Sequence, residues 1–121
     1  MFPSLLIAMM ERRTSLKLAD KDIYVNIVGG LKVNEPASDL AIVMAIASAA
    51  RGKKLRDNAV VFGEVGLSGE IRHVPFIEKR IAEAEALGFD YAIGPPWPAK
   101  SSPPFLRSVD EVKLALNTYL K

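Results

Sequence analysis

The sequence has no cysteine and only one histidine, His73. Without cysteine the chain can form no disulfide bond, Cys-type zinc site, iron–sulfur cluster or cysteine nucleophile. A metal centre built from several histidines is excluded as well, so we expect no metal site in this chain. His73 has no Ser, Asp or Cys partner at the spacing of a catalytic motif, and we expect a structural or solvated side chain rather than a base.

Long apolar runs and nucleotide-binding motifs are also lacking. The longest apolar run covers residues 40–50, interrupted by Ser48, which is far short of the roughly 20 residues of a membrane span. Residues 1–10 are apolar but lack the basic segment and cleavage pattern of a secretion signal. A phosphate loop ends in Gly-Lys followed by Ser or Thr, whereas Lys54 follows Gly52-Lys53 here. We therefore expect a cytoplasmic chain that contacts no membrane and hydrolyses no nucleotide by itself.

The apolar pattern predicts one mixed domain, residues 1–121, with a helix at its centre. Half of the residues are apolar, which is enough for a buried core. Asn34, Glu35 and Pro36 favour a helix start, and the helix is predicted from about residue 37 to 50. Because residues 40–50 are apolar on every side, we expect other elements to cover this helix nearly all round.

The other elements follow from apolar spacing and from the positions of glycine. They are, in order, a buried helix in residues 1–10, a strand at 22–28 ending at Gly29-Gly30, the central helix, a strand at 59–62, a glycine-rich hairpin at 63–74, a helix at 76–87 capped by Gly88, a strand at 91–93, and a final helix for which Ser108 and Glu111 form a capping box. This order predicts an α+β fold without internal repeats.

Residues 95–104 contain five prolines and are predicted to form an irregular surface segment. Trp97 lies in this segment, and two roles are open for it. An exposed tryptophan could anchor a partner, since binding hot spots are rich in this residue. Alternatively, Trp97 pins the segment to the domain.

Basic residues are concentrated in the first half of the chain. Residues 1–56 carry nine basic and five acidic groups, whereas residues 57–121 carry seven and nine. Four basic side chains lie within six residues, namely Arg51, Lys53, Lys54 and Arg56. Such a cluster could hold nucleic-acid phosphates in a salt-dependent way. The alternative is a solvated loop after a helix C-terminus, where the helix dipole favours cations.

Three long strings, in this order, resemble the C-terminal region of the RadA (Sms) family of bacterial DNA repair proteins. They are YVNIVGGLKVNEPASDLAIVMAIAS at 24–48, VVFGEVGLSGEIRHV at 60–74 and EKRIAEAEALGFDYAIGP at 78–95. The opening PSLLIAMMERR is similar to the helix that leads into that region, so the resemblance covers nearly the whole chain. It is less clear across the proline-rich segment and the last helix.

The resemblance implies a Lon-protease-like domain, with the α+β fold of the ribosomal protein S5 domain 2-like group. It also implies that the chain is a fragment, because members of the family carry a four-Cys zinc finger and a RecA-like ATPase domain ahead of this region. ATP, Mg and Zn would then belong to those other domains, and we expect no cofactor in residues 1–121.

The relationship to Lon raises the alternative of a Ser-Lys protease. Such a dyad needs a serine hydroxyl at a helix start and a desolvated lysine that takes its proton. Matched to the Lon-type strings, the serine position is Ala37 and the lysine position is Glu78. A further hydroxyl-bearing position, directly before Gly63, is Phe62. All three catalytic positions of the resemblance are therefore lost.

Ser38 and Lys79 each lie one residue beyond the dyad positions. One step along a helix turns a side chain by about 100°, so both are expected to leave the former catalytic face. We therefore predict that this chain is not an enzyme.

The preferred function is a non-catalytic oligomerisation scaffold and DNA-contacting platform, serving an ATPase that processes recombination intermediates. Arg51, Lys53, Lys54 and Arg56 are the candidate DNA contacts, with Arg12, Arg13 and Lys17 as weaker ones. The expected partners are DNA, further copies of the chain, with a hexameric ring as the assembly considered, and recombination proteins. The alternative is a pure protein-interaction domain without DNA contact.

Overall fold

The computed structural model describes residues 36–55 and 58–121. The predicted opening helix, the strand at 22–28 with its glycine turn, and the capping residues Asn34 and Glu35 lie outside these residues. The candidate DNA contacts Arg12, Arg13, Lys17 and Arg56 also lie outside them.

The described elements follow one another with short connections. After a 3₁₀ turn at Pro36–Ser38 they are α1 (Asp39–Arg51), β1 (Ala59–Val61), β2 (Glu64–Val65), β3 (Ile71–Arg72), α2 (Ile77–Ala86), β4 (Tyr91–Gly94), β5 (Leu106–Ser108) and α3 (Val112–Tyr119). None of the helices among the described residues is long and apolar enough to span a bilayer.

The predicted central helix is confirmed as α1, and it is covered nearly all round except along one line of alanines. Most of its side chains are buried, with Leu40 and Val43 at zero exposure. Ala45 and Ala49 are exposed, so the helix is not covered all round. Exposure of an alanine costs little, because its side chain is a single methyl group that also favours the helix. The helix ends at Gly52, whose φ of +64° suits glycine.

Three strands form a parallel sheet in the order β1-β4-β5. The predicted strands at 59–62 and 91–93 are confirmed as β1 and β4, whereas β5 was not predicted. Successive side chains of a strand point to opposite faces, and β4 divides the core accordingly. Tyr91 and Ile93 pack in a first cluster with α1 and α3, while Ala92 packs in a second cluster with α2.

The predicted glycine hairpin is confirmed as the antiparallel pair β2-β3, with Glu64 opposite Arg72. Gly63, just before the hairpin, joins it to the start of α1. Its N–H donates to the Ala37 carbonyl over 2.9 Å, and its carbonyl accepts from the Leu40 N–H over 3.0 Å. A Cβ at Gly63 would lie 3.0 Å from Cγ2 of Ile71, and φ there is +155°. Glycine therefore suits both the backbone conformation and this close approach.

The final helix begins later than predicted, and the capping box is wrong. Ser108 lies in β5 opposite Gly94, and Glu111 is extended with no side-chain cap, so the helix starts at Val112. Because Ser108 pairs with β4 in the sheet, it does not serve as the helix cap that the local sequence pattern predicts. The Val112 N–H instead donates to the carbonyl of Gly69, over 2.9 Å, so the hairpin caps α3.

The helix at 76–87 is confirmed as α2, and Gly88 after it has a positive φ of +90°. Residues 95–104 contain no helix or strand, as predicted. Trp97 is half-buried against the second cluster, which supports its role in pinning this segment to the domain. Helices around a parallel sheet, with a separate hairpin, are consistent with the predicted α+β class.

Candidate functional site

The position matched to the Lon-type serine lies inside the apolar core. Ala37 is 5% exposed and belongs to the second cluster, together with Phe62 and Ile77. The Phe62 ring reaches towards β4, since a Cβ on Gly94 would lie 3.0 Å from the ring carbon Cε2. The structure therefore brings positions 37 and 62 together, in a cluster of predominantly apolar side chains.

The position matched to the Lon-type lysine is separated from this cluster. Glu78 is exposed on α2, although its neighbour Ile77 is buried in the second cluster. The shifted residues also occupy different environments, since Ser38 is 7% exposed and Lys79 is on the surface. A lysine that serves as a base has to be desolvated, and neither position 78 nor position 79 provides this.

Asp39 is a buried acid that sequence reasoning overlooked. Its side chain has zero exposure, and Oδ2 accepts a hydrogen bond from the Val65 N–H over 3.0 Å. Burial raises the pKa of the Asp39 carboxyl, while the hydrogen bond from Val65 acts in the opposite direction. The available signal was one acidic residue at the start of an otherwise apolar helix. Asp39 links α1 to β2 two residues after Ala37, the position matched to the Lon-type serine.

The structure places three of the four clustered basic residues around the end of α1. Arg51 is half-buried, and its Nη1 donates to Oδ1 of Asn117 on α3 over 3.3 Å. Lys53 and Lys54 are exposed, and the Ser48 hydroxyl donates to the Lys53 carbonyl. This local bonding holds the turn after α1 in place, with both ammonium groups at the surface.

Lys121 joins this group, although it is far away in the sequence. The Lys54 N–H donates to the Lys121 carbonyl over 3.2 Å, and the Lys121 N–H donates to the Lys54 carbonyl over 3.1 Å. An adjacent bridge between Leu55 and Leu120 extends the pairing. We call Arg51, Lys53, Lys54 and Lys121 the basic end of α1. No local sequence signal connects Lys121 with the other three.

The cations at the basic end of α1 form no ion pair with any residue in the described ranges, 36–55 and 58–121. The Arg51 guanidinium is bonded to a neutral amide. By contrast, Arg72 on the hairpin lies 3.6 Å from a carboxylate oxygen of Glu64 and 3.8 Å from one of Glu70. Two arrangements remain compatible with this geometry, namely solvated cations at a helix C-terminus and cations that contact an anionic partner.

The described part of the chain gathers no group of three or more His, Asp or Glu side chains around a metal-sized space. His73 is exposed in the loop after β3. The sequence has no cysteine and no phosphate loop, and the assignment of zinc, magnesium and ATP to other domains stays a prediction.

Comparison with known proteins agrees with the resemblance drawn from the sequence. Residues 7–96 match the family described as ChlI, Subunit ChlI of Mg-chelatase. The chain is 46% identical to the DNA repair protein RadA of Chlamydia pneumoniae over 104 residues, which is 86% of the chain and 23% of that protein. It is 49% identical to the DNA repair proteins RadA of Haemophilus influenzae and Escherichia coli, in each case over 92 residues, or 76% of the chain.

The matched relatives are much longer than the chain. It covers 20% of the Haemophilus influenzae and Escherichia coli proteins. The chain thus spans about a fifth of the length of the curated relatives it matches, and the resemblance to RadA is confirmed for this region.

Proposed function

The chain belongs to the family described as Subunit ChlI of Mg-chelatase, and on this premise, with its similarity to RadA, we propose that it is a non-catalytic domain of a DNA repair protein. In this proposal the domain contacts DNA and provides a scaffold for self-association. The observation that carries it is the pairing of Lys54 with Lys121, which assembles the exposed basic end of α1 from both ends of the described chain.

The absence of catalysis is supported by the surroundings of Ala37. A serine at this position would be enclosed among Phe62 and Ile77, with its hydroxyl out of reach of a peptide substrate. An ammonium group at position 78 would be solvated and would keep its proton at neutral pH. The packing and the residue identities therefore both argue against a Ser-Lys dyad at positions 37 and 78.

DNA contact is supported by the charges and the exposure of the basic end of α1. Lys53 and Lys54 are surface residues, and neither forms an ion pair within the described ranges. Phosphate contact would release counterions from DNA and would require no rearrangement of existing ion pairs. Arg56, the next basic residue in the sequence, belongs to the same proposed contact.

The proposal also includes the fold, the activity and the partners that the resemblance to the RadA family implies. We assign the chain a Lon-protease-type, S5 domain 2-like fold, which is supported by the order of the hairpin, α2 and β4 after α1. The longer protein would be a cytoplasmic ATPase that processes recombination intermediates, with ATP, Mg and Zn held outside this chain. Self-association, in a form such as a hexameric ring, and recombination proteins as partners complete the proposal.

A charge-reversal experiment tests the DNA contact. We expect Lys53→Glu with Lys54→Glu to weaken duplex binding, measured by fluorescence anisotropy across a salt series. If each lysine contacts one phosphate, the slope of log affinity against log salt falls by about 1.8. The melting temperature should stay unchanged, because both side chains are exposed.

Lys100→Glu with Lys113→Glu is the control of equal charge. It makes the same change in net charge, and both of these lysines are exposed and lie outside the basic end of α1 as defined above. The DNA contact is assigned to the wrong surface if the control pair weakens binding as much as the pair at positions 53 and 54.

A pure protein-interaction domain is the second candidate, and exposed apolar side chains favour it. Leu67 and Leu87 are 65% and 78% exposed, at the hairpin tip and after α2. Light scattering combined with a gel shift at low salt separates the two functions. Self-association without any DNA binding would favour the second candidate over the first.

A further inference from the structure

Phe76 is a bulky apolar residue in an exposed and strained position. Its side chain is 76% exposed, and its φ of +60° makes it the one non-glycine residue with positive φ among residues 36–55 and 58–121. Only a few per cent of non-glycine residues adopt this conformation, and it is costlier for a bulky residue. The backbone is nevertheless held there, since the Phe76 carbonyl accepts the Arg80 N–H over 3.0 Å. The ring is thus presented to solvent and not packed in the core.

Two cations lie on the same side of α2 as this ring. Phe76, Lys79, Arg80 and Glu83 line an open hollow of about 210 Å³. Lys79 and Glu83 are four residues apart on α2 and share one helical face, and Phe76 adjoins them from the position just before the helix. Two cations and one carboxylate give this hollow a positive balance. The Arg80 Nε donates to the Pro75 carbonyl over 2.9 Å, which holds the guanidinium near the start of α2.

We propose that this hollow, the Phe76 hollow, binds single-stranded DNA by stacking an unpaired base on the Phe76 ring, with Lys79 and Arg80 beside the adjoining phosphates. An exposed aromatic ring next to cations is the combination by which proteins hold single strands without sequence preference. A purely apolar partner would instead bury the charges of Lys79 and Glu83, at a cost in desolvation. A duplex keeps its bases stacked inside, so the ring gains nothing from it.

The inference rests on the proposed function in one respect, since its ligand is DNA. The residues are different, because the basic end of α1 lies on another part of the fold and acts through phosphates alone. The two sites therefore predict separable effects on single-stranded and on duplex DNA.

The test compares ring substitutions in the full 121-residue chain, with an oligothymidylate as probe. Phe76→Ala and Phe76→Leu should each lower the affinity by roughly 5- to 150-fold, the range that loss of one stacked base gives. Phe76→Trp should retain the affinity. All three variants keep a Cβ at this position, so none of them gains the backbone freedom that glycine would introduce. Duplex affinity should be unchanged in every one of them.

A second probe separates stacking from charge. An oligomer of abasic sites keeps the phosphates and loses the bases, so the parent chain should bind it more weakly than oligothymidylate. In Phe76→Ala this preference should disappear. Lys79→Gln should instead lower the salt slope for the single strand by about 0.7 if it contacts one phosphate.

Leu87→Ala is the matched control for loss of an exposed apolar side chain. Leu87 is 78% exposed, as Phe76 is 76% exposed, but it lies beyond the other end of α2. This control should leave the affinity for oligothymidylate unchanged.

Several results would overturn the proposal. They include an unchanged single-strand affinity in Phe76→Ala, an equal loss for duplex DNA, and full retention in Phe76→Leu, which would indicate an apolar contact. A loss of self-association in light scattering, with intact DNA binding, would assign the hollow to a second copy of the chain. If Lys53→Glu with Lys54→Glu has no effect while Phe76→Ala weakens single-strand binding, the basic end of α1 fails and the Phe76 hollow stands.

Discussion

The carboxylate of Asp39 accepts a hydrogen bond from the backbone N–H of Val65, over 3.0 Å and away from solvent. This bond ties the first turn of α1 to strand β2. Asp39 lies two residues after Ala37, the position matched to a catalytic serine, and its carboxylate makes a structural contact there.

Removal of the Asp39 carboxylate should destabilise the domain. Asp39→Ala leaves the Val65 N–H without this acceptor, which costs about 1–3 kcal/mol. Asp39→Asn keeps an acceptor oxygen and should cost less. Denaturant unfolding measures both values, and Ala45→Ser, an exposed change on the same helix, serves as control. Equal stability of Asp39→Ala and the parent would contradict this role.

The same carboxyl makes stability depend on pH. Burial raises its pKa in the folded state above the ordinary value of 3.8. The folded state therefore binds this proton more tightly than the unfolded state does, and stability falls as pH rises from about 3.8 through the raised pKa. Asp39→Asn cannot titrate, so the parent should lose stability relative to this variant over that window. An unfolding series from about pH 3.5 to about 7 measures the difference, and a difference that does not change with pH would count against the assignment.

Gly63→Ala should destabilise the domain more than Gly88→Ala. Both positions have positive φ, but a Cβ at Gly63 meets Ile71 at 3.0 Å whereas nothing lies within 4 Å at Gly88. We expect about 1 kcal/mol for the strain at Gly88 and a further 1–3 kcal/mol for overpacking at Gly63. Thermal unfolding of the two variants measures this order. Equal losses would show that the contact with Ile71 relaxes without cost.

Restoring the residue types of a Ser-Lys dyad should not restore proteolysis. In Ala37→Ser with Glu78→Lys, the hydroxyl is enclosed by the second cluster and the new ammonium group is exposed. The buried hydroxyl should also cost about 1–3 kcal/mol of stability. Cleavage of fluorescently labelled unfolded casein is the assay, with the parent chain as baseline. Cleavage by this double variant that disappears when position 37 is returned to alanine would contradict the packing argument.

Much of the fold is local and was predictable from sequence. Apolar spacing located α1 and α2, and the glycines at 63, 66 and 69 located the hairpin. Strand β5 was missed because Leu106–Ser108 follows a proline-rich segment and becomes a strand only by pairing with β4. The same pairing displaced the predicted start of α3, since the capping residue Ser108 was already hydrogen-bonded in the sheet.

The candidate sites also combine features that the sequence alone determines with features that only the tertiary structure determines. Positions 37 and 78, which the resemblance matches to a Ser-Lys dyad, hold alanine and glutamate, and this residue identity is given by the sequence alone. Only the tertiary structure determined three other features. Ala37 is enclosed, Lys121 lies beside Lys54, and Phe76 is held in the left-handed region. The physical reason is that residue identity and apolar periodicity determine structure only over a few neighbouring positions in the sequence. Burial, strand pairing and shared charge depend on segments that meet only after the chain has folded, and for Lys54 and Lys121 those segments lie at opposite ends of the described chain.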